Sequence, residues 1–101
     1  MKIREFQNLM KEIYYSRDNK RGLARTFVWF VEEVGEFAKV IREGKKSDFK
    51  DEVGDVFAWL LSLANLLDVN AEEVIEKYKR GCPRCKKIPC QCTYDLPSFQ
   101  F

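Results

Sequence analysis

Residues 53–67 read VGDVFAWLLSLANLL, and this stretch decides the fold class. Its apolar residues fall on every side of a helix, and only Gly54, Asp55, Ser62 and Asn65 interrupt them. A helix that is apolar all round has to be buried all round. Four helices built from 101 residues cannot surround one of their own members completely, so we expect a second copy of the chain to cover it. The alternative is a monomer that leaves an apolar stripe exposed.

Turn signals on both sides of this stretch predict an all-α protein, a four-helix bundle that is completed by homo-oligomerisation. Helices are predicted from Lys2 to about Ser16, from Leu23 to Glu43, from the N-cap Ser47 to about Leu67, and from Ala71 to about Arg80. A polar connection, residues 17–22, separates the first two helices, and Gly44 ends the second in a left-handed conformation. Residues 1–80 therefore form a helical domain, and residues 81–101 form a cysteine-rich tail.

Composition excludes several classes of protein. Hydrophobic residues make up 46% of the chain, which suits a packed core, and histidine is absent, which removes the usual general base.

The longest uncharged run is too short to cross a bilayer, and the charged N-terminus lacks the apolar segment of an export signal, so we expect a cytoplasmic protein without membrane contact. Residues 77–101 carry six Lys/Arg against one Asp/Glu, but charge alone is a weak basis for nucleic-acid binding, which we do not expect.

Two acidic pairs stand out within the apolar helices. Glu33 and Glu36 lie three residues apart in the second helix, and Glu52 and Asp55 lie three apart in the third. Residues at this spacing share a helix face, and here each face also carries a tryptophan and aliphatic side chains. Unpaired carboxylates in such surroundings are costly and repel one another, so something positive has to bind there.

Two kinds of partner fit these acids. Lys39 and Lys50 lie nearby in the sequence and offer ion pairs. Alternatively, oxygen ligands without His or Cys match a hard divalent cation, Mg²⁺ first and Mn²⁺ second, which typically shares its coordination sphere with substrate phosphates. Gly35 and Gly54 cost stability inside helices, and we expect them to permit a close approach of the two helices beside the metal.

The motifs EEVGE at residues 32–36 and EVGD at residues 52–55 closely resemble those of the MazG-like nucleotide pyrophosphohydrolases, over about residues 1–80. The resemblance implies an all-α bundle, assembled as a dimer or a dimer of dimers, that splits nucleoside triphosphates into monophosphate and pyrophosphate. It also implies site residues. The Mg²⁺ ligands would be Glu33, Glu36, Glu52 and Asp55, the water-orienting or supporting acid would be Glu32, and the phosphate contacts would be Lys77, Arg80 and, in place of a more usual base, Lys50.

Two other functions stay open at this point. Phosphoribosyl-ATP pyrophosphohydrolase is similar in size and in its acidic pairs, although EEVGE and EVGD look more like MazG. A non-enzymatic dimeric scaffold for the cysteine-rich tail is the other alternative, and it would not bind Mg²⁺.

All four cysteines cluster in the tail, at Cys82, Cys85, Cys90 and Cys92. They predict either a structural zinc site or disulfides and a redox pair, and the lack of an export signal favours zinc. Residues 93–101 include four large apolar side chains without a helical period, which would either pack on the body or form a disordered end.

Overall fold

Three long helices, a short fourth helix and a 3₁₀ turn follow one another along the chain. They are α1 (Ile3–Arg21), α2 (Leu23–Glu43), α3 (Lys46–Leu66), α4 (Ala71–Val74) and the turn Glu76–Tyr78. The computed structural model describes residues 1–93, and within that range there is no strand, so the all-α prediction is confirmed. The predicted packing of residues 94–101 lies outside the described residues.

The first helix is longer than predicted, because residues 17–21 form its last turn and not a polar connection. Asp18 is only 3% exposed and accepts a hydrogen bond of 3.0 Å from Arg21. Arg21 also donates to the hydroxyl of Thr26 in α2, at 3.4 Å. These polar side chains therefore join two helices, and the direction change is confined to Gly22, whose φ of +91° favours glycine.

Two other predicted boundaries are wrong. Helix α3 begins at Lys46, so Ser47 lies inside the helix and does not cap it. The Ser47 hydroxyl instead donates to the neighbouring Asp48 carboxylate at 3.5 Å. Helix α4 ends at Val74 and not near Arg80. A short helix needs a packed face to continue, and Val74 is 47% exposed.

Two predicted helix ends are confirmed. Asn70 caps α4 by accepting a hydrogen bond from the Glu72 amide at 2.9 Å. Gly44 ends α2 in the left-handed region with a φ of +68°.

The core lies where α1, α3 and α4 meet. Met10, Leu61 and Ala71 are buried there, and the side chains packed against them are Ile3, Phe6, Leu9 and Ala58. Gln7 of α1 links this core to the start of α4 by hydrogen bonds. Its side chain donates to the Val69 carbonyl and accepts from the Ala71 amide, both at 2.8 Å. Helix α2 packs mainly on α3, which places the acidic halves of the two helices side by side.

A large apolar groove remains open between α2, α3 and α4, next to the core. Its floor and walls include Phe27, Phe57, Leu60, Leu67 and Val74. Among the described residues, no helix is both long enough and apolar enough to span a membrane.

Candidate metal and nucleotide site

Three carboxylates converge where α2 packs on α3. Glu33 projects from α2, and Glu52 and Asp55 project from adjacent turns of α3. Each residue offers an oxygen, and these three oxygens lie within 4.8 Å of one another. Glu33 and Glu52 are half-buried, whereas Asp55 is exposed, so the cluster has a buried side and an open side.

The electrostatics of this cluster disfavour its fully ionised form. Burial raises the pKa of Glu33 above its ordinary value, and the negative charges of Asp55, Glu52 and Glu36 add to the effect. Burial likewise raises the pKa of Glu52, and repulsion from Asp55 and Glu36 raises it further. The interaction between the two carboxyl groups adds slightly to the raised pKa of Glu33 and opposes the rise in the pKa of Glu52. The four acids thus form one strongly negative centre.

No basic side chain within residues 1–93 pairs with this centre. The four ion pairs of that range are Arg4–Glu72, Arg21–Asp18, Lys45–Glu43 and Lys79–Glu76. The interpretation that Lys39 or Lys50 neutralises the acids therefore finds no support. Glu52 Oε2 is buried and has no hydrogen-bond partner. Clustered carboxylates with an unpartnered buried oxygen fit a hard divalent cation.

The structure brings only three of the five predicted acids into one group of converging oxygens. Glu36 lies close enough to repel Glu33 and Glu52, but it does not contribute to the group of three converging oxygens. Glu32 is exposed on α2 and has no part in that group. Asp48 adds to the negative charge around Glu52 from one turn earlier in α3.

The predicted phosphate contacts lie elsewhere in the chain. Lys77 follows α4, which packs on α1, and its ammonium group lies 5.3 Å from the centre of the Tyr78 ring. Arg80 is exposed in the turn that precedes Gly81. Lys50 is exposed on α3, two residues before Glu52. In the described part of the chain, none of the three makes an ion pair with the acids.

A pocket of about 230 Å³ opens beside Asp55, and its lining includes arginines that the sequence interpretation missed. Arg17 lines it together with Arg21, which pairs with Asp18, and Trp29 and Trp59 supply aromatic walls. The Arg21 guanidinium lies 4.1 Å from the Trp29 ring centre, and the two indoles meet edge to face at 5.7 Å. An anionic, ring-containing ligand fits such a pocket. The only signal in the sequence was three bases just before Gly22, at a place where a loop was predicted.

The expectation for Gly35 and Gly54 is wrong within a single chain. A Cβ atom at either position would meet no other heavy atom within 4 Å, apart from its own local backbone. Neither glycine is therefore needed for a close approach of the two helices in a single chain.

The four cysteines form a second cluster, with sulfur atoms within 4.8 Å of one another. Hydrogen bonds from the Cys85 and Arg84 amides lower the pKa of Cys82 to about 6. The adjacent sulfurs of Cys90 and Cys82 raise the pKa of Cys92 to about 12. The sulfurs are thus close enough to change one another's pKa, chiefly through hydrogen bonds.

Comparison with known protein families gives one match. The model of the MazG nucleotide pyrophosphohydrolase domain matches residues 21–86, which contain α2, α3 and all five predicted acids. The matched range ends between the two halves of the cysteine cluster. A comparison with curated proteins found no match.

Proposed function

Because this chain belongs to the family of MazG nucleotide pyrophosphohydrolase domains, we propose that it hydrolyses nucleoside triphosphates to monophosphates and pyrophosphate. Ribo- and deoxyribonucleotides are both proposed substrates, and the proposed role is the removal of unwanted nucleotides from the pool. The observation that carries the proposal is the group of Glu33, Glu52 and Asp55, which has no basic partner among the described residues.

Mg²⁺, or Mn²⁺ in its place, is the proposed cofactor. Glu33, Glu52 and Asp55 would hold it, and Glu36 would join them from the next turn of α2. When bound, the metal supplies charge neutralisation for the triphosphate and a water of lowered pKa. The half-buried pair Glu33 and Glu52 anchors the site, and exposed Asp55 faces the pocket where substrate enters.

Other side chains of this chain have proposed roles in binding and orientation. Arg17 and Arg21 attract the phosphate chain, because they line the same pocket as Asp55. Trp29 offers its exposed ring to the nucleobase, since aromatic faces stack on any base. Glu32 orients the attacking water, a role that rests on the EEVGE motif. Lys77, Arg80 and Lys50 remain proposed as additional phosphate contacts by resemblance alone.

We also propose that the active form is a homodimer or a dimer of dimers. The apolar groove is the surface on which a second copy would pack, and it carries almost no polar atoms. The same helix, α3, carries both the groove residue Leu60 and the acids, so association would also fix the site.

The experiment that tests the function is a turnover screen with Mg²⁺ across canonical, deaminated, oxidised and methylated nucleoside triphosphates. We expect at least one of them to be hydrolysed, and Asp55→Asn to lower its turnover by orders of magnitude without unfolding the chain. Asp51→Asn is the matched control, because Asp51 is exposed on the same helix outside the cluster. Equal turnover by both variants would refute the assignment of the site.

A further inference from the structure

A second cluster of ligating side chains lies outside the carboxylate site. It occupies residues 82–92, after the 3₁₀ turn, and consists of two short motifs, Cys82-Pro-Arg-Cys85 and Cys90-Gln-Cys92. The matched family range contains the first motif and ends before the second. The proposed hydrolysis uses none of these cysteines, so their arrangement needs its own explanation.

The distances between the sulfurs distinguish coordination from disulfide bonding. The Sγ atoms of Cys82 and Cys92 lie 3.6 Å apart, and those of Cys85 and Cys90 lie 4.0 Å apart. Four thiolates placed tetrahedrally at about 2.3 Å from zinc are separated by about 3.8 Å. A disulfide requires about 2.05 Å, and no disulfide joins any of the four. The observed spacing is that of ligands around a common centre.

The backbone directs hydrogen-bond donors at these sulfurs. The Gln91 amide donates to Cys85 Sγ at 3.3 Å, and the Cys92 amide donates to Cys90 Sγ at 3.4 Å. Amide donors of this kind stabilise negatively charged sulfur and orient metal-bound thiolates. The sulfurs of a disulfide carry no charge and gain little from such donors.

The loop that carries the first motif is closed by its own backbone. The Lys86 amide donates to the Cys82 carbonyl at 2.7 Å, and the Cys82 amide donates to the Lys87 carbonyl at 3.1 Å. Gly81 permits this closure, because its φ is +108° and a Cβ there would lie 2.8 Å from the Lys87 carbonyl oxygen. Cys82 and Cys85 are thus held in position by the local fold.

Charge and ligand type indicate which metal the cluster suits. Four thiolates around a divalent cation leave a net charge of −2, and residues 82–92 carry Arg84, Lys86 and Lys87 but no acid. Soft sulfur ligands without carboxylates favour zinc over Mg²⁺. The chain therefore separates a hard-metal site on its helices from a soft-metal site in its tail.

We propose that one zinc ion is bound by the four thiolates of Cys82, Cys85, Cys90 and Cys92. The site is structural, because four protein ligands complete the tetrahedron and leave no position for a reactive water. Its function is to hold residues 81–92 in one conformation at the end of the helical domain. Binding displaces a proton from each thiol that is still protonated and involves no oxidation.

The first test is the metal content of the full chain, purified without chelators and measured by mass spectrometry. We expect one zinc per chain, and less than a tenth of that in Cys90→Ser or Cys85→Ser. Thr93→Ser is the matched control and should keep the full content, because Thr93 follows the last ligand without belonging to the cluster. Iron in place of zinc, or unchanged zinc in both cysteine variants, would overturn the proposal.

The second test needs no variant and so does not depend on the folding of one. Co²⁺ added to the zinc-free, reduced chain should give thiolate-to-cobalt charge transfer and the intense visible bands of a tetrahedral site, saturating at one equivalent. One equivalent of Zn²⁺ should then abolish both signals. Weak octahedral bands, or no free thiols in the unreduced and unfolded protein, would refute a four-thiolate zinc site.

Discussion

Glu33 of α2 and Glu52 of α3 bring carboxylate oxygens within 4.8 Å of each other, where the two helices pack together. Both side chains are half-buried, and Asp55 and Glu36 add two further negative charges beside them. Such a pair is stable only with a shared proton or a bound cation. We expect a bound Mg²⁺ to relieve the repulsion among these carboxylates.

The first prediction concerns metal binding by Glu52→Gln. This substitution removes the negative charge of the residue whose Oε2 is buried without a partner, and it keeps the side-chain volume. Isothermal titration should show saturable Mg²⁺ binding by the native chain and a loss of affinity of at least tenfold in the variant. Asp51→Asn should titrate like the native chain.

Equal affinities of all three proteins would contradict the proposed ligand role of Glu52. The absence of binding to the native chain would favour the scaffold alternative.

The second prediction concerns the pH dependence of stability without metal. The pKa values of Glu33 and Glu52 are raised above 4.5 in the folded chain, so folding favours their protonated forms. Their contribution to stability is complete below about pH 4.5 and is lost as the pH rises through the folded pKa values. Urea unfolding in EDTA should therefore show the native chain losing stability between pH 4.5 and neutrality relative to Glu33→Gln/Glu52→Gln.

The difference between the two proteins is the measured quantity, since other carboxylates titrate equally in both. A difference that is constant with pH would show that neither burial nor the neighbouring charges raise the pKa values of these two side chains.

The third prediction separates the two sets of bases. Arg17 lines the pocket beside Asp55, whereas Lys77 lies against Tyr78. A charge-assisted hydrogen bond is worth about 1.5–3 kcal/mol, so Arg17→Gln should lower kcat/KM by roughly tenfold or more. Lys77→Gln tests the resemblance-based contact in the same steady-state assay. A loss in Lys77→Gln alone would show that the pocket arginines do not bind phosphate.

The fourth prediction concerns assembly. Leu60 is 49% exposed in the apolar groove, and Glu at this position would be buried without a partner when a second chain packs there. Light scattering should give twice or four times 12.0 kDa for the native chain and 12.0 kDa for Leu60→Glu. Leu61 is unsuitable for this test, because it is 2% exposed in the core of a single chain.

Ile13→Glu provides the control, since Ile13 is 53% exposed on α1 and does not line the groove. A native chain of 12.0 kDa that is active at nanomolar concentration would refute the oligomeric assembly.

Much of the fold was predictable from local signals. Gly44 and Asn70 mark helix ends by backbone preference and capping, and both act as predicted. Helix periodicity placed Glu52 and Asp55 on one face of α3, whereas their convergence with Glu33 was implied only by the family resemblance. The last turn of α1 was not predictable from the sequence, because the polar residues Asp18 and Arg21 are typical of a loop. Only the structure shows that they bond to each other and that Arg21 contacts α2.

The pocket beside Asp55 is lined by residues of α1, α2 and α3, so it forms only when these helices pack together. No local sequence pattern predicts it. Arg21 comes to lie over Trp29 only after Gly22 has reversed the chain and the helices have packed. The expectation for Gly35 failed for the same reason. The space around Gly35 depends on how α2 packs against its neighbours and not on the conformational preference of glycine.

The most direct test of the central claim is the identity of the products. Phosphorus nuclear magnetic resonance of a nucleoside triphosphate with Mg²⁺ and the native chain should show monophosphate and pyrophosphate appearing in equal amounts. The same reaction in EDTA should stop, because the chelator removes the Mg²⁺ that Glu33, Glu52 and Asp55 are proposed to hold. Release of orthophosphate with nucleoside diphosphate would contradict the proposed pyrophosphohydrolase activity.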